Sequence, residues 1–192
     1  MTRRGFVYAL AAGATATAAG AAQQKLQGQT SRPSPEFVIT QVNGQRGLLS
    51  QYKGKVIALE FLHTTCPHCQ TASGLMQKMY KEYGPKGFQP IGIAFNDMAA
   101  LLVPDYVKQL GLTFPVGVAP RDDVKAYLVE TFQYVPIMVF IDKNFTIRGQ
   151  YVGDHEFFKN EEANMRATIE MLLKEQAKNA RPAGKGGSSK KR

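Results

Sequence analysis

The two cysteines of this 192-residue chain are separated by only two residues, in Cys66-Pro67-His68-Cys69. An apolar run from Val56 to Leu62 precedes them, and a segment with helical periodicity, Gln70 to Tyr83, follows. Two thiols within one helical turn can join as a disulfide. At a helix N-terminus, free backbone N–H groups and the helix dipole favour thiolate over thiol at the first cysteine. Because the thiolate is the form that attacks disulfides, the spacing indicates a redox dithiol.

The length and charge of the chain narrow its class. A chain of 192 residues fits one domain of about 150 residues with appendages. The formal charge is +9, but residues 178–192 carry six basic residues without an acid and residues 1–22 carry only Arg3 and Arg4. This leaves +1 for residues 23–177, so the body is nearly neutral. The charge therefore does not indicate a nucleic-acid-binding surface.

The two ends differ in composition from the body. Residues 1–22 contain Arg3-Arg4, followed by an alanine- and glycine-rich stretch that ends in small residues suited to a cleavage point. This layout predicts a cleaved export signal of the twin-arginine type. Residues 23–34 are predicted to be a polar linker. Residues 178–192 are predicted to be a disordered basic tail that touches anionic membrane surfaces weakly. Export would place the protein in the periplasm, outside the reducing cytosol.

Strand and helix patterns alternate over the body. The strand patterns are Phe37–Thr40, Val56–Leu62, Phe88–Phe95, Phe114–Val118, Ile137–Ile141 and Phe145–Val152. The helix patterns are Gln70–Tyr83, Pro104–Leu110, Asp122–Leu128 and a last helix capped by Asp154, with Phe158, Met165, Ile169 and Leu172 on one face. This alternation, with a closing hairpin, predicts an α/β sandwich.

Four features in order carry a family resemblance. They are Pro35-Glu36-Phe37 with Lys53-Gly54-Lys55-Val56; the strand leading into the cysteine pair; Leu110-Gly111-Leu112-Thr113-Phe114-Pro115; and Val135-Pro136 before a strand ending at Ile141-Asp142. Over roughly residues 33–177 the chain resembles the thioredoxin superfamily, and within it the exported TlpA and ResA type of thiol-disulfide oxidoreductase, which is related to the AhpC/TSA proteins. The resemblance implies a three-layer sandwich over 35–177, with a central mixed sheet and helices on both faces.

The resemblance also implies roles for individual residues. Cys66 would be the exposed nucleophile and Cys69 the resolving thiol, cycling without a bound cofactor or metal. Pro136 matches the position of a cis-proline beside the cysteines, so Val135, Pro136 and Pro67 would bind the substrate polypeptide. The implied partners are protein thiols or disulfides and a membrane-bound redox protein that resets the pair.

Glu60 lies six residues before Cys66, where thioredoxins keep a buried acid under the active site. A carboxylate on an otherwise apolar strand is costly unless it is paired, hydrated or protonated. Burial would raise its pKa and let it accept the proton that Cys69 must lose before resolution. The alternative is that Glu60 faces solvent at a strand edge.

His68 bears on the direction of electron flow. Its cation or donor hydrogen bonds would favour the Cys66 thiolate and make the pair a better oxidant, as in DsbA-type oxidases. The rest of the domain resembles a branch that reduces its targets, so we expect a disulfide reductase with a dithiol oxidase as the alternative. A third interpretation of His68 is a solvated helix residue with little influence.

Two other functions compete with dithiol exchange. A peroxidase needs a Thr or Ser three residues before the attacking cysteine, and His63 occupies that place. A metal or copper site could combine Cys66 and Cys69 with His155 or His63, but structural zinc usually takes four ligands and the chain has a single C-x-x-C.

Overall fold

A computed structural model describes residues 30–129 and 132–179, with side chains described as far as residue 175. The strands are Arg32–Pro33 (β1), Val38–Thr40 (β2), Arg46–Leu48 (β3), Val56–Leu62 (β4), Phe88–Ala94 (β5), Val116–Val118 (β6), Ile137–Ile141 (β7) and Thr146–Tyr151 (β8). The α-helices are Pro67–Tyr83 (α1), Ala99–Leu110 (α2), Arg121–Leu128 (α3) and Glu161–Asn179 (α4), and 3₁₀ turns occupy Leu49–Tyr52, Gly84–Lys86 and Glu156–Asn160.

The strands form one mixed sheet in the order β1-β8-β7-β4-β5-β6-β2-β3. Strand β4 lies at its centre, parallel to β5 and antiparallel to β7. All seven residues of β4 are buried, as expected for a strand that is apolar except at Glu60 and is covered on both faces. The predicted α/β class with a central mixed sheet is confirmed.

Alternate residues of β4 face two separate apolar clusters. Val56, Ala58 and Leu62 pack with side chains of α1, α2 and α4. Ile57, Leu59 and Phe61 pack with α3 and with the β2 side of the domain. Helices therefore cover both faces of the sheet, which confirms the predicted three layers.

Helix α2 begins earlier than its sequence indicated. The prediction placed Pro104 at the helix start, but the helix begins at Ala99 and Pro104 lies inside it. The buried residues Ala99, Val103 and Tyr106 anchor the extra first turn to the core. Proline removes the hydrogen bond to the carbonyl four residues earlier, and Ala100 is exposed, so solvent can satisfy that carbonyl.

The start of the last helix was also predicted wrongly. His155, not Asp154, is the capping residue: its Nδ1 accepts a hydrogen bond from the Phe157 N–H at 2.9 Å. This cap opens the 3₁₀ turn Glu156–Asn160, and α4 follows from Glu161. The apolar stripe is confirmed for the part that lies on α4, where Met165, Ile169 and Leu172 are fully buried.

Both ends of the domain extend slightly beyond their predicted limits. β1 lies within the segment predicted as a linker, pairs with β8, and is held by the Arg32 guanidinium, which donates to the carbonyl of Tyr127 at 3.1 Å. α4 continues to Asn179. The predicted export signal and the remainder of the basic tail lie outside the described residues. Within the described part, no helix has the length and apolarity to cross a membrane.

Candidate active site

Cys66 occupies the N-cap of α1. Its backbone is extended, with φ −85° and ψ 118°, and Pro67 fills the first helical position, where a missing N–H costs nothing. The Cys66 N–H donates to the His63 carbonyl at 3.1 Å, and the Gln70 N–H donates to the Cys66 carbonyl at 3.1 Å. The thiol is half-buried and free. This geometry places the thiol at the N-terminus of α1, where the first backbone N–H groups of the helix have no intrahelical partner.

Cys69 is a different kind of thiol. It is also free but fully buried, on the face of α1 that packs against the sheet. Burial raises the pKa of the Cys69 thiol far above its usual range, and the Glu60 carboxylate raises it further. Cys69 therefore needs a nearby proton acceptor before it can act as a nucleophile.

Glu60 lies in the centre of the sheet and is fully buried, so the alternative of a solvent-facing Glu60 is wrong. Its Oε2 accepts a hydrogen bond from the Ser73 hydroxyl at 2.6 Å, and its Oε1 has no hydrogen-bond partner among the described residues. Burial raises the pKa of Glu60 to about 8; Ser73 opposes that rise and Glu161 adds to it. Glu60 can therefore gain and lose a proton near neutral pH.

Tyr106 completes a hydrogen-bonded cluster that the sequence did not predict. Its hydroxyl donates to the Ser73 Oγ at 2.8 Å and also lies 3.1 Å from the Cys69 carbonyl oxygen. Ser73 follows Cys69 by one helical turn, so a polar residue on the buried face of α1 was the available signal. Tyr106 gave no such signal, because the sequence does not show how α2 packs against α1.

His68 faces a second buried acid. Its Nε2 lies 3.8 Å from Oε2 of Glu161, the first residue of α4, and its ring meets Phe158 edge-on at 5.1 Å. The His68 side chain is 40% exposed, whereas that of Glu161 is 7% exposed. Burial raises the pKa of Glu161 to about 7. The sequence predicted His68 but not its acidic partner.

The predicted cis-proline is confirmed, since the Val135-Pro136 bond is cis. Pro136 is buried and Val135 is half-buried at the start of β7. Ile137 pairs with Phe61 near the end of β4 that leads to Cys66, so this loop and the cysteines share one edge of the sheet. Gly153 packs so closely on the loop that a Cβ there would lie 2.6 Å from the Val135 carbonyl oxygen.

The side chains of the two other histidines make structural contacts. His155 caps the turn before α4 through its Nδ1. The ring of His63 packs against Phe95 at 4.5 Å, and burial, followed by the charge of Arg121, lowers its pKa. Among residues 30–129 and 132–179, no group of three or more His, Cys, Asp or Glu side chains is placed to hold a metal ion.

Several known proteins are similar to this chain in sequence and in fold. The profile of the AhpC/TSA family matches residues 30–150. The thiol-disulfide oxidoreductase ResA of Bacillus thuringiensis (strain Al Hakam) is 30% identical over 128 residues, which cover 66% of this chain and 71% of that protein. ResA of Geobacillus kaustophilus is 31% identical over 121 residues, covering 62% of this chain and 67% of that protein.

Two solved structures show a similar architecture. A thioredoxin-family thiol:disulfide interchange protein from Chlorobium tepidum TLS aligns with a TM-score of 0.64 and 26% identity, covering 75% of this chain and 97% of that one. A DsbF homologue from Corynebacterium diphtheriae aligns with a TM-score of 0.63 and 19% identity, covering 74% and 87%. The family match, the curated relatives and the shared fold agree with the cysteine geometry: the chain belongs to the AhpC/TSA family of thioredoxin-like proteins and is a thiol-disulfide oxidoreductase.

Proposed function

We propose that the protein is an exported reductase of protein disulfides, in which Cys66 attacks the substrate and Cys69 resolves the mixed disulfide. The contrast between the two thiols carries this assignment. Cys66 is half-buried at a helix N-terminus, whereas Cys69 is fully buried and the nearby Glu60 carboxylate raises the pKa of its thiol. An attacking thiol needs access and thiolate character, and a resolving thiol needs only to reach its neighbour.

The reaction divides into two exchanges. In the first, the Cys66 thiolate attacks one sulfur of the substrate disulfide, and the other substrate sulfur leaves as a thiolate. In the second, the Cys69 thiol gives its proton to the Glu60 carboxylate and the resulting thiolate attacks the Cys66 sulfur. A Cys66–Cys69 disulfide forms and the second substrate thiolate leaves, so two electrons pass to the substrate. The mixed-disulfide partner would lie along Val135, Pro136 and Pro67.

The surroundings of His68 favour the reducing direction. An imidazolium close to Cys66 would stabilise the thiolate and with it the reduced protein, which makes the pair a stronger oxidant. Here the imidazole faces the Glu161 carboxyl group. When that carboxyl group is ionised, its negative charge offsets the positive charge of an imidazolium. His68 would therefore stabilise the Cys66 thiolate less than a histidine without an acidic neighbour.

The reduction potential of the Cys66–Cys69 pair tests the direction, using equilibrium with glutathione buffers and quantitation of both redox states. We expect a value closer to that of thioredoxin, about −270 mV, than to that of DsbA, about −120 mV. A value near −120 mV would replace the reductase assignment with a dithiol oxidase. The Cys69→Ser variant should accumulate a covalent complex with a disulfide substrate, and the Cys66→Ser variant should not.

Export is inferred from residues 1–22, with Arg3 and Arg4 as the twin-arginine pair. Outside the cytosol the pair would be reduced again by a membrane-bound donor. Fractionation of cells that produce the full chain should find it in the periplasm. The Arg3→Lys/Arg4→Lys double variant should remain in the cytoplasm, because a twin-lysine signal lacks the paired guanidinium groups. Equal export of both forms would exclude the twin-arginine route.

A further inference from the structure

Three buried side chains from three elements form a chain of hydrogen bonds under the active site. Glu60 comes from β4, Ser73 from α1 and Tyr106 from α2, and they are 0%, 0% and 4% exposed. The Ser73 hydroxyl donates to Glu60 Oε2 at 2.6 Å, and the Tyr106 hydroxyl donates to Ser73 Oγ at 2.8 Å. These hydrogen bonds lead from α2 through α1 to the Glu60 carboxyl group on β4.

The hydrogen atoms in this chain can be counted. Tyr106 has one hydroxyl hydrogen and two acceptors in reach, Ser73 Oγ and the Cys69 carbonyl oxygen at 3.1 Å, so it serves one at a time. Ser73 also has one hydrogen, and it can donate to Glu60 only while Oε2 carries no proton. Polarisation by Tyr106 strengthens that donation. Because a hydrogen bond to a charged acceptor is stronger than one to a neutral acceptor, this donation stabilises the Glu60 carboxylate more than the neutral carboxyl group.

We propose that Ser73 and Tyr106 are positioning residues that hold Glu60 under Cys69 and stabilise its carboxylate, and so set the pH above which Cys69 is resolved efficiently. This inference rests on the proposed role of Glu60 as the acceptor of the Cys69 proton. Neither residue touches the substrate; both act through Glu60. The proton moves from the Cys69 sulfur to the Glu60 carboxylate, and the sulfur then attacks Cys66.

The charges around Glu60 make these donors necessary. The titratable or polar groups that act on Glu60 are Cys69 and Ser73 on α1, Tyr106 on α2 and Glu161 at the start of α4. Burial and the nearby Glu161 raise the pKa of Glu60, and the Ser73 hydrogen bond is the contribution that lowers it. Loss of that donor would leave Glu60 protonated to a higher pH and unable to accept the Cys69 proton.

The test measures the resolution step directly. Reduced protein is mixed with a short peptide that contains one disulfide, and conversion of the mixed disulfide to the Cys66–Cys69 disulfide is followed by rapid acid quench between pH 5.5 and 9.5. We compare the natural chain with Ser73→Ala, Ser73→Thr, Tyr106→Phe and Glu60→Gln. The matched control is Tyr127→Phe, because the Tyr127 hydroxyl also bonds a buried serine, Ser34 Oγ, at 2.8 Å, on the opposite face of the sheet.

The expected results are graded. Ser73→Ala should move the midpoint of the pH profile upward and slow resolution at pH 7 about tenfold, because the Glu60 carboxylate loses its hydrogen-bond donor. Tyr106→Phe should shift it in the same direction with a loss of about twofold to threefold. Ser73→Thr keeps a hydroxyl and should stay near the natural chain. Glu60→Gln should remove the pH step, and Tyr127→Phe should leave it in place.

Each failure has its own meaning. If Glu60→Gln leaves the profile unchanged, Glu60 is not the proton acceptor and the proposed resolution step falls together with this inference. If Glu60→Gln removes the step while Ser73→Ala and Tyr106→Phe leave its midpoint unmoved, only the positioning role is overturned. An equal shift in Tyr127→Phe would also overturn it. Should Ser73→Ala not fold, Tyr106→Phe alone decides.

Discussion

The side chains on both faces of β4 are mostly apolar, but the two faces differ in the polar side chains that they bury. On one face, Ile57, Leu59 and Phe61 enter a cluster with α3. On the other, Val56, Ala58 and Leu62 enter a cluster with α1, α2 and α4 that also contains the buried Cys69. Glu60 belongs to the second set by the alternation of the strand. The face that carries the cysteine helix is the one that contains a buried carboxyl group.

A tyrosine–serine hydrogen bond of 2.8 Å is buried on each face, which makes the difference clear. Tyr127 and Ser34 form a pair that ties the N-terminal segment to α3. Tyr106 and Ser73 form the same pair, but it continues to Glu60 and to the backbone of Cys69. The same chemical unit therefore stabilises packing on one face and is connected to a titratable group on the other.

The largest effect should come from the thiol at the end of α1. Cys66→Ser should reduce disulfide-reductase turnover by at least about a thousandfold, because a hydroxyl at that position does not ionise to a nucleophile near neutral pH. Turnover of a small protein disulfide, followed by thiol release, measures it. The variant should unfold in urea at nearly the same midpoint as the reduced natural chain. Substantial residual turnover would move the attacking role to Cys69.

Removal of a large side chain from the α3 face should affect stability but not the chemistry. Phe61 is fully buried and meets the rings of Phe37 and Tyr127 at 5.5 Å each. Phe61→Ala should lower the free energy of unfolding by about 3–5 kcal/mol through lost burial and a cavity. Urea unfolding measures this loss, and the pH midpoint of the resolution step should stay where it is. A shifted midpoint would show that the two faces are coupled through β4.

The stability of the reduced protein should depend on pH through the carboxyl-bearing face. Burial raises the pKa of Glu60 from 4.5 to about 8, so between these values the folded state binds a proton that the unfolded state has lost. The stabilisation is complete below pH 4.5 and is lost as the pH rises through about 8, on the order of 5 kcal/mol in all. Urea unfolding at pH 5 and pH 8 measures it.

Glu60→Gln is the matched variant for this pH dependence because an amide does not titrate. It should remove most of the difference between pH 5 and pH 8. The part that remains should come from Glu161, whose pKa burial raises to about 7. If the natural chain is equally stable at both pH values, burial does not disfavour the ionisation of Glu60 and the prediction is wrong.

The features of the fold and the site that follow from local sequence patterns were predictable. The run Val56–Leu62, apolar except at Glu60, predicted a strand buried on both faces, with a solvent-facing Glu60 left as the alternative. The helix predicted over Gln70–Tyr83 is present, although α1 begins three residues earlier, at Pro67. The order of these features, together with Val135-Pro136, was enough for the fold.

The parts that depend on how elements pack were not predictable. Tyr106 reaches Ser73 because of how α2 packs beside α1, which no residue pattern shows. The sequence also gave no sign that α2 begins at Ala99, after Met98 in a left-handed conformation with φ 61°. Glu161 and Glu162 are adjacent acids in a polar stretch. One is buried beside His68 and the other is half-exposed and paired with Lys78, a difference set by the direction of α4.

The smallest predicted effect gives the most direct comparison of the two faces. Tyr127→Phe should cost about 1 kcal/mol of unfolding free energy, the usual value of one hydrogen bond, because the Ser34 hydroxyl keeps the Pro35 carbonyl as an acceptor at 3.1 Å. Tyr106→Phe removes a hydroxyl of the same kind, but the ionised Glu60 then loses support through Ser73. Its cost should therefore be larger at pH 8 than at pH 5, whereas that of Tyr127→Phe should be the same at both. Urea unfolding of the two variants at each pH tests this, and equal, pH-independent costs would mean that the Tyr106–Ser73 pair is a packing element like its counterpart.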